Sequence, residues 1–310
     1  MKLITYSLPT YLQYLLLIFI SLCSTNIQAQ GCKLHLDNLV DVEIKTNTSS
    51  GNTHYNIVQD NRNETFKVRN SGGSCSFFIS FSGSSHIRYL KSAQDKIAYG
   101  IYDSVQRNNP LIGLPTATER NIQKGAFKEN ETNKTFTYFY FLDVDDAISA
   151  GEYSDSMQIE LYEGTLGNHI LHDTKTIEFL TNIESFINVT VQGGQGSGKK
   201  TRLHFGTAKP GISLGFEINI NANTGYDMLL ESQNRGVMRL DSHRVANTIP
   251  YLLFKDGHQL DISNKVQLPY MNTIHSIPVV RHDFIVTIDE FNYVLSGEYK
   301  DTITITVMAR

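Results

Sequence analysis

The chain runs to 310 residues, with 27 Lys and Arg against 31 Asp and Glu and a net charge of -4 when histidine is neutral. That balance disfavours nonspecific nucleic-acid binding, which draws on an excess of basic side chains. Hydrophobic residues make up 40% of the chain, which fits a soluble globular protein of about two domains rather than a multi-span membrane protein. Tyr and Phe number 16 each, Trp is absent, and Ser, Thr, Asn and Gly fill the gaps between apolar runs. Such a composition favours strands and turns over helices, so a mostly β protein is expected.

One apolar stretch stands apart near the start, Leu12 to Cys23 (LQYLLLIFISLC), preceded by Lys2 and followed by Ser24 to Ala29. A short apolar core ending on a small residue is the pattern of a secretory signal peptide, here residues 1–29 with cleavage after Ala29. A membrane anchor needs about 18 or more apolar residues, and this run is shorter and broken by Gln13. Leu22 is too large to precede a lipidated Cys23. The exported chain keeps two of the three cysteines, Cys32 and Cys75. In an oxidising compartment they predict one disulfide that ties the first strand to the second. The bridge would restrict the unfolded chain by about 4 kcal/mol in loop-entropy terms. Two unpaired buried thiols are the alternative.

Downstream, no apolar pattern at 3.6 spacing is sustained, while short alternating runs bounded by Gly, Asn, Asp and Ser recur. Phe77–Phe81, Phe136–Phe141, Met157–Leu161, Phe216–Ile220 and Ile303–Val307 are predicted strands. Many short strands argue for sandwich domains. The segment Asn108 to Thr116 (NNPLIGLPT) has two prolines and a glycine that keep it out of a regular strand, yet it carries Leu111, Ile112 and Leu114. Apolar residues on such a loop are either tucked into the core or displayed for binding. The acidic cluster Asp143, Asp145 and Asp146 lacks the Gly and Glu of a calcium loop and reads as a solvated turn.

An internal repeat organises the rest. Gly151 to Leu161 (GEYSDSMQIEL) returns as Gly297 to Val307 (GEYKDTITITV). The motif is a turn at Gly, a Tyr that can pack its ring and bond its hydroxyl, an Asp suited to capping the turn, and a strand with one apolar face. Two copies imply two related domains, 30–180 and 181–310, with Phe186–Val191 opening the second. After the first copy, His169–Leu180 offers a closing strand; after the second only Met308, Ala309 and Arg310 follow. If the topologies match, the second sandwich is one strand short, and a vacant edge either aggregates or is completed by another chain. Ile303, Ile305 and Val307 would then line the edge of the vacancy.

The block Leu203–Gly211, followed by Phe216–Tyr226, Ile249–Gly257 and the terminal GEYKDTITITV, resembles the spore coat protein U (FanG-like) domain family, found in pilins and tip adhesins of archaic chaperone-usher pili. Residues 30–180 carry a looser version: the cysteine pair, Ala98–Asp103 and Ala150–Asp155. The resemblance implies two immunoglobulin-like antiparallel β-sandwiches, the second lacking its last strand. It implies a non-enzymatic subunit near a fibre tip, exported through the periplasm to the cell surface, with no cofactor. Its implied partners are a periplasmic chaperone, an outer-membrane usher, a neighbouring pilin that donates a strand, and an abiotic or host surface touched by apolar fingers such as Leu111, Ile112 and Leu114. Biofilm formation is the implied consequence. Residues 181–310 contain no cysteine and residues 30–180 match the family less closely, so the adhesive role of the first domain rests on position rather than motif.

Enzymatic and metal readings find little in the residues. Gly193 to Lys200 (GGQGSGKK) satisfies G-x-x-x-x-G-K, but Lys200 stands where a phosphate-binding loop needs Ser or Thr for Mg²⁺, and the following segment is strand-like. Of ten histidines, His169 and His172 sit three apart on a predicted strand and so face opposite sides. HExxH and GxSxG are both absent. The competing reading from a different class is a stand-alone extracellular glycan-binding β-sandwich that uses aromatic side chains.

Overall fold

The computed structural model describes residues 31–50, 55–59, 62–93, 95–143, 148–196, 198–241, 247–271 and 279–310. The expected signal peptide lies outside them, as do Asp145 and Asp146. The chain is all-β, with no helix among the described residues. Alternation dictates the strands: in Asn63–Asn70 every second residue from Phe66 is buried, and in Ser213–Ala222 every second residue from Phe216.

The first half comprises β1 (Leu34–Asp37), β2 (Val42–Glu43), β3 (Thr46–Ser50), β4 (Tyr55–Gln59), β5 (Asn63–Asn70), β6 (Cys75–Phe81), β7 (Arg88–Lys91), β8 (Lys96–Tyr102), β9 (Gln123–Phe127), β10 (Asn133–Asp143), β11 (Gly151–Thr165) and β12 (Asn168–Ile183). One layer runs β1-β5-β10-β8 and the other β9-β6-β11-β12, all antiparallel. The layers join where β7 bridges β8 and β11, and β2 extends the second layer by pairing with β12 in parallel. Between them lies a core rich in aromatics, including Phe66, Phe81, Tyr99, Tyr138 and Phe179, each at most 1% exposed.

The second half comprises β13 (Ile187–Gln192), β14 (Ser213–Ala222), β15 (Tyr226–Ser232), β16 (Val237–Leu240), β17 (Thr248–Lys255), β18 (His258–Leu260), β19 (Val266–Tyr270), β20 (Val280–Ile288), β21 (Tyr299–Lys300) and β22 (Ile303–Ala309). Its layers run β13-β14-β20-β17 and β19-β15-β22. A separate core contains Ile218, Ile220, Met228, Leu230, Leu253 and Phe284. All five predicted strand cores lie within observed strands, β6, β10, β11, β14 and β22.

β12 continues to Ile183, and the connection to β13 is held by one fully buried side chain. Asn223 accepts from Phe186 N at 2.7 Å, donates to Glu184 O at 3.0 Å, and its own carbonyl accepts from Ala150 N at 2.9 Å. One asparagine therefore binds the connection and the entry to β11 together.

Cys32 and Cys75 form the disulfide, with Cα atoms 6.0 Å apart. Its placement differs from expectation. Cys32 precedes β1 while Cys75 opens β6, because all of β1 to β5 fall within the closed loop.

The Asn108–Thr116 loop turns inward. Leu111 is 1% exposed in the first core, its amide bonded to Ile101 O at 2.8 Å. Arg88 donates to Ser82 O and, at 3.0 Å, to Phe81 O, beside the place where Gly113 N meets Gly83 O at 2.8 Å. Display of Leu111 as an adhesive finger is thus overturned: burying its isobutyl group in the core outweighs exposing it. Leu114 packs partly buried against Phe78, Ile122 and Tyr162, and Ile112 is half-buried.

Candidate functional site

The repeat builds the same joint twice. Tyr153 donates its hydroxyl to Ser149 O and Tyr299 to Leu295 O, each over four residues and each at 2.8 Å. This is the tyrosine corner of immunoglobulin-like sandwiches. Gly151 takes φ 139°, where a side chain would be strained. The sequence assigned the following Asp to capping the turn, but in both copies it reaches the opposite layer. Asp155 accepts from Tyr99 of β8 at 2.7 Å, and Asp301 accepts from Tyr251 of β17. Burial pushes both phenols well above their ordinary range, and the carboxylate bonds push the same way. Asp301 also accepts from the amide of its neighbour Thr302 and, in the turn between β15 and β16, from that of Asn234.

With the copies aligned on these tyrosines and aspartates, β11 corresponds to β22, β6 to β15 and β9 to β19. The layer β9-β6-β11-β12 is therefore matched by β19-β15-β22 and then by no strand among the described residues. Among the described residues β22 pairs with no strand but β15, and β13, the edge of the opposite layer, pairs with no strand but β14, with a single bridge from Val191 to Gly198. Between these edges runs a seam. Cα atoms of β13 and β22 come within 8 Å of each other, as do those of β1 and β11 in the first half, where β12 runs alongside.

Burial records the difference side chain by side chain. Met157, Ile159 and Leu161 of β11 are 1%, 0% and 0% exposed. Their counterparts Ile303, Ile305 and Val307 are only half-buried. Ile187, Val189 and Val191 on the β13 bank are half-buried too, and both rows pack against the second core. Filling such a seam with apolar side chains contributes about 1.5 to 3 kcal/mol per residue buried, before ordering costs.

The remaining motifs are placed without chemistry. Thr201 donates its hydroxyl to Gly193 O, Val191 bridges Gly198, and Lys199 and Lys200 are exposed, so the described residues of this motif lie in a surface loop after β13. His169 stands edge-on to Tyr162, with ring centroids 5.0 Å apart, while His172 Nε2 lies 2.8 Å from Glu163. Glu163 lies near Cys32 and Cys75, but their sulfurs are joined and offer no thiolate. Asp143 is exposed at the end of β10.

No protein-family model matches the chain, and no curated protein matches it. Among solved structures it is similar to the complex of the chaperone CsuC with the tip adhesion subunit CsuE from archaic chaperone-usher Csu pili of Acinetobacter baumannii. That match has 14% identity and a TM-score of 0.36, and covers 80% of this chain and 91% of that one. A mutant of the CFA/I adhesin CfaE of enterotoxigenic Escherichia coli gives 12% identity and a TM-score of 0.40 over 93% of this chain and 80% of that one. The CssB subunit of colonization factor CS6, complemented with a donor strand from CssA, matches 49% of this chain and 97% of its own at 16% identity and a TM-score of 0.26.

Proposed function

We propose that this chain is an exported, non-enzymatic subunit of a chaperone-usher fibre whose second sandwich is completed by a strand from another chain. The carrying observation is the contrast between Met157, Ile159 and Leu161, sealed by β12, and Ile303, Ile305 and Val307, which face an unfilled seam. The chain is read as two domains, with the boundary expected at residue 180 moved to the connection where β12 ends at Ile183 and β13 begins at Ile187. A periplasmic chaperone holds the seam first, an outer-membrane usher passes the subunit on, and a neighbouring pilin fills the vacancy. The sequence blocks of the second domain support this reading, as does the physical need to satisfy two open edges.

The first domain, which closes itself, is left free for attachment to a host or abiotic surface, at the fibre tip and in biofilms. Within the Asn108–Thr116 loop such contact falls to Ile112 and Leu114. Co-expression with and without a candidate periplasmic chaperone tests the assembly reading: soluble yield should depend on the chaperone, and the complex should be stoichiometric. A chain that is equally soluble and monomeric without any partner overturns it.

A further inference from the structure

On the flank of the first domain, the outward face of β8 and β10 carries an arrangement that neither the core nor the strand pairing uses. Tyr99, Ile101, Tyr138 and Tyr140 point inward and are 1% exposed, so the alternate residues Gly100, Tyr102, Phe139 and Phe141 face the other way. A Cβ at Gly100 would sit 2.7 Å from the Tyr102 ring; its absence lets that ring lie against the strand. Tyr102 meets Phe141 edge-on, with centroids 5.8 Å apart.

Phe141 is 4% exposed beneath two guanidiniums. Arg107 Cζ stands 3.9 Å from the ring centroid and Arg62 Cζ 5.6 Å from it. Arg107 reaches the ring from a backbone at φ 59°, which non-glycine residues seldom adopt. Neither arginine forms an ion pair among the described residues. Beside them, Asp103 Oδ2 accepts from Asn109 Nδ2 at 2.8 Å, while Asp103 Oδ1 is buried with no hydrogen-bond donor.

Two uncompensated cations gathered on one ring repel each other, and an entering anion relieves that repulsion. A guanidinium stacked on a ring keeps its edge N–H groups free for a planar carboxylate. Asp103 sets a second condition. Its negative charge repels a further carboxylate, so the ligand should carry one anion among neutral groups. Aromatic faces suit the apolar side of a pyranose ring.

We propose that this face binds a carboxylate-bearing sugar of the uronic or sialic acid type. The arginine pair takes the carboxylate, and Tyr102 and Phe139 take the ring face. The site lies wholly within the first domain and stands however the second is completed.

Immobilised full-length protein, titrated with tetragalacturonate and with sialyllactose, tests this, with lactose as neutral control and a tetraglutamate peptide as competitor. Saturable binding of one or both acidic sugars is expected, with none of lactose. Arg62→Gln and Arg107→Gln should each weaken binding roughly tenfold or more at unchanged melting temperature, and Arg107→Lys should not restore it, because an ammonium keeps the charge but not the bidentate fork. If Arg107→Gln lowers the melting temperature, Arg62→Gln alone decides. Failure of both acidic sugars to bind, equal binding of lactose, indifference to the arginine changes, or competition by tetraglutamate as strong as by the sugars would each overturn the assignment.

Discussion

At the scale of single residues, Leu111 and His282 give opposite kinds of test. Leu111 fills the first core, so Leu111→Asp buries a carboxylate without a partner and should lower stability by about 3 kcal/mol or more. Chemical denaturation checks this; a variant as stable as the parent would mean that the side chain is displayed after all. His282 on β20 is 5% exposed, with Nε2 2.8 Å from the Tyr226 hydroxyl and the Tyr226 and Tyr270 rings edge-on to it. Burial depresses its pKa, nearby Lys255 acts in the same direction, and Asp256 and Asp283 oppose them. Between that lowered value and about 6.5, the unfolded chain takes up a proton that the folded chain refuses, so stability rises with pH. It is fully present above about pH 6.5 and is lost as pH falls through the folded value. Melting temperatures measured from pH 7.5 down to 5 should therefore fall, and His282→Gln should flatten the decline; parallel curves for the two proteins would remove His282 as its source.

Among the elements, β12 is the strand for which the second sandwich has no counterpart among the described residues. Its lower half presents Ile177, Phe179, Thr181 and Ile183 inward, exposed by 1%, 0%, 4% and 1%, in register with Met157, Asp155, Tyr153 and Gly151. Appending Asp173–Ile183 after Arg310 through a short turn should let this segment lie along β22 and raise the melting temperature of the second half by several degrees. Replacing Ile177 and Phe179 of the appended copy by Ser should cancel the gain, and a gain that survives those changes would refute strand capture.

Much of this was legible beforehand, since period-two alternation marks a half-buried strand directly and the GEYSD repeat aligned the halves. The inward turn of the Asn108–Thr116 loop was not. Two prolines say that a segment is irregular, not which way its leucines point. The grouping of Arg62, Arg107 and Phe141 had no local signal either, because pairing of β10 with β5 and β8 is what gathers residues so far apart in sequence. Likewise nothing in Asn221–Tyr226 announced that Asn223 would be the buried residue at the connection.

For the whole molecule, that asparagine matters most. β11 leaves the connection at Gly151 and its 15 residues carry it about 50 Å toward the far pole, so a small change of angle at the joint is a large displacement there. Asn223→Ala removes the bonds to Phe186 N and Glu184 O and should cost about 1 to 3 kcal/mol locally. Hydrogen exchange should quicken at residues 184–187, and small-angle scattering should report a broader spread of overall dimensions; unchanged exchange would show that packing alone sets the joint.

The bridge between Cys32 and Cys75 lies entirely within the first half. Oxidation can therefore cure only the leading sandwich, and a reductant can soften only that one. On the proposed assembly, the trailing sandwich answers to a different agent, a visiting backbone, so one polypeptide would mature under two unrelated controls, the redox poise of its compartment and the company it meets there.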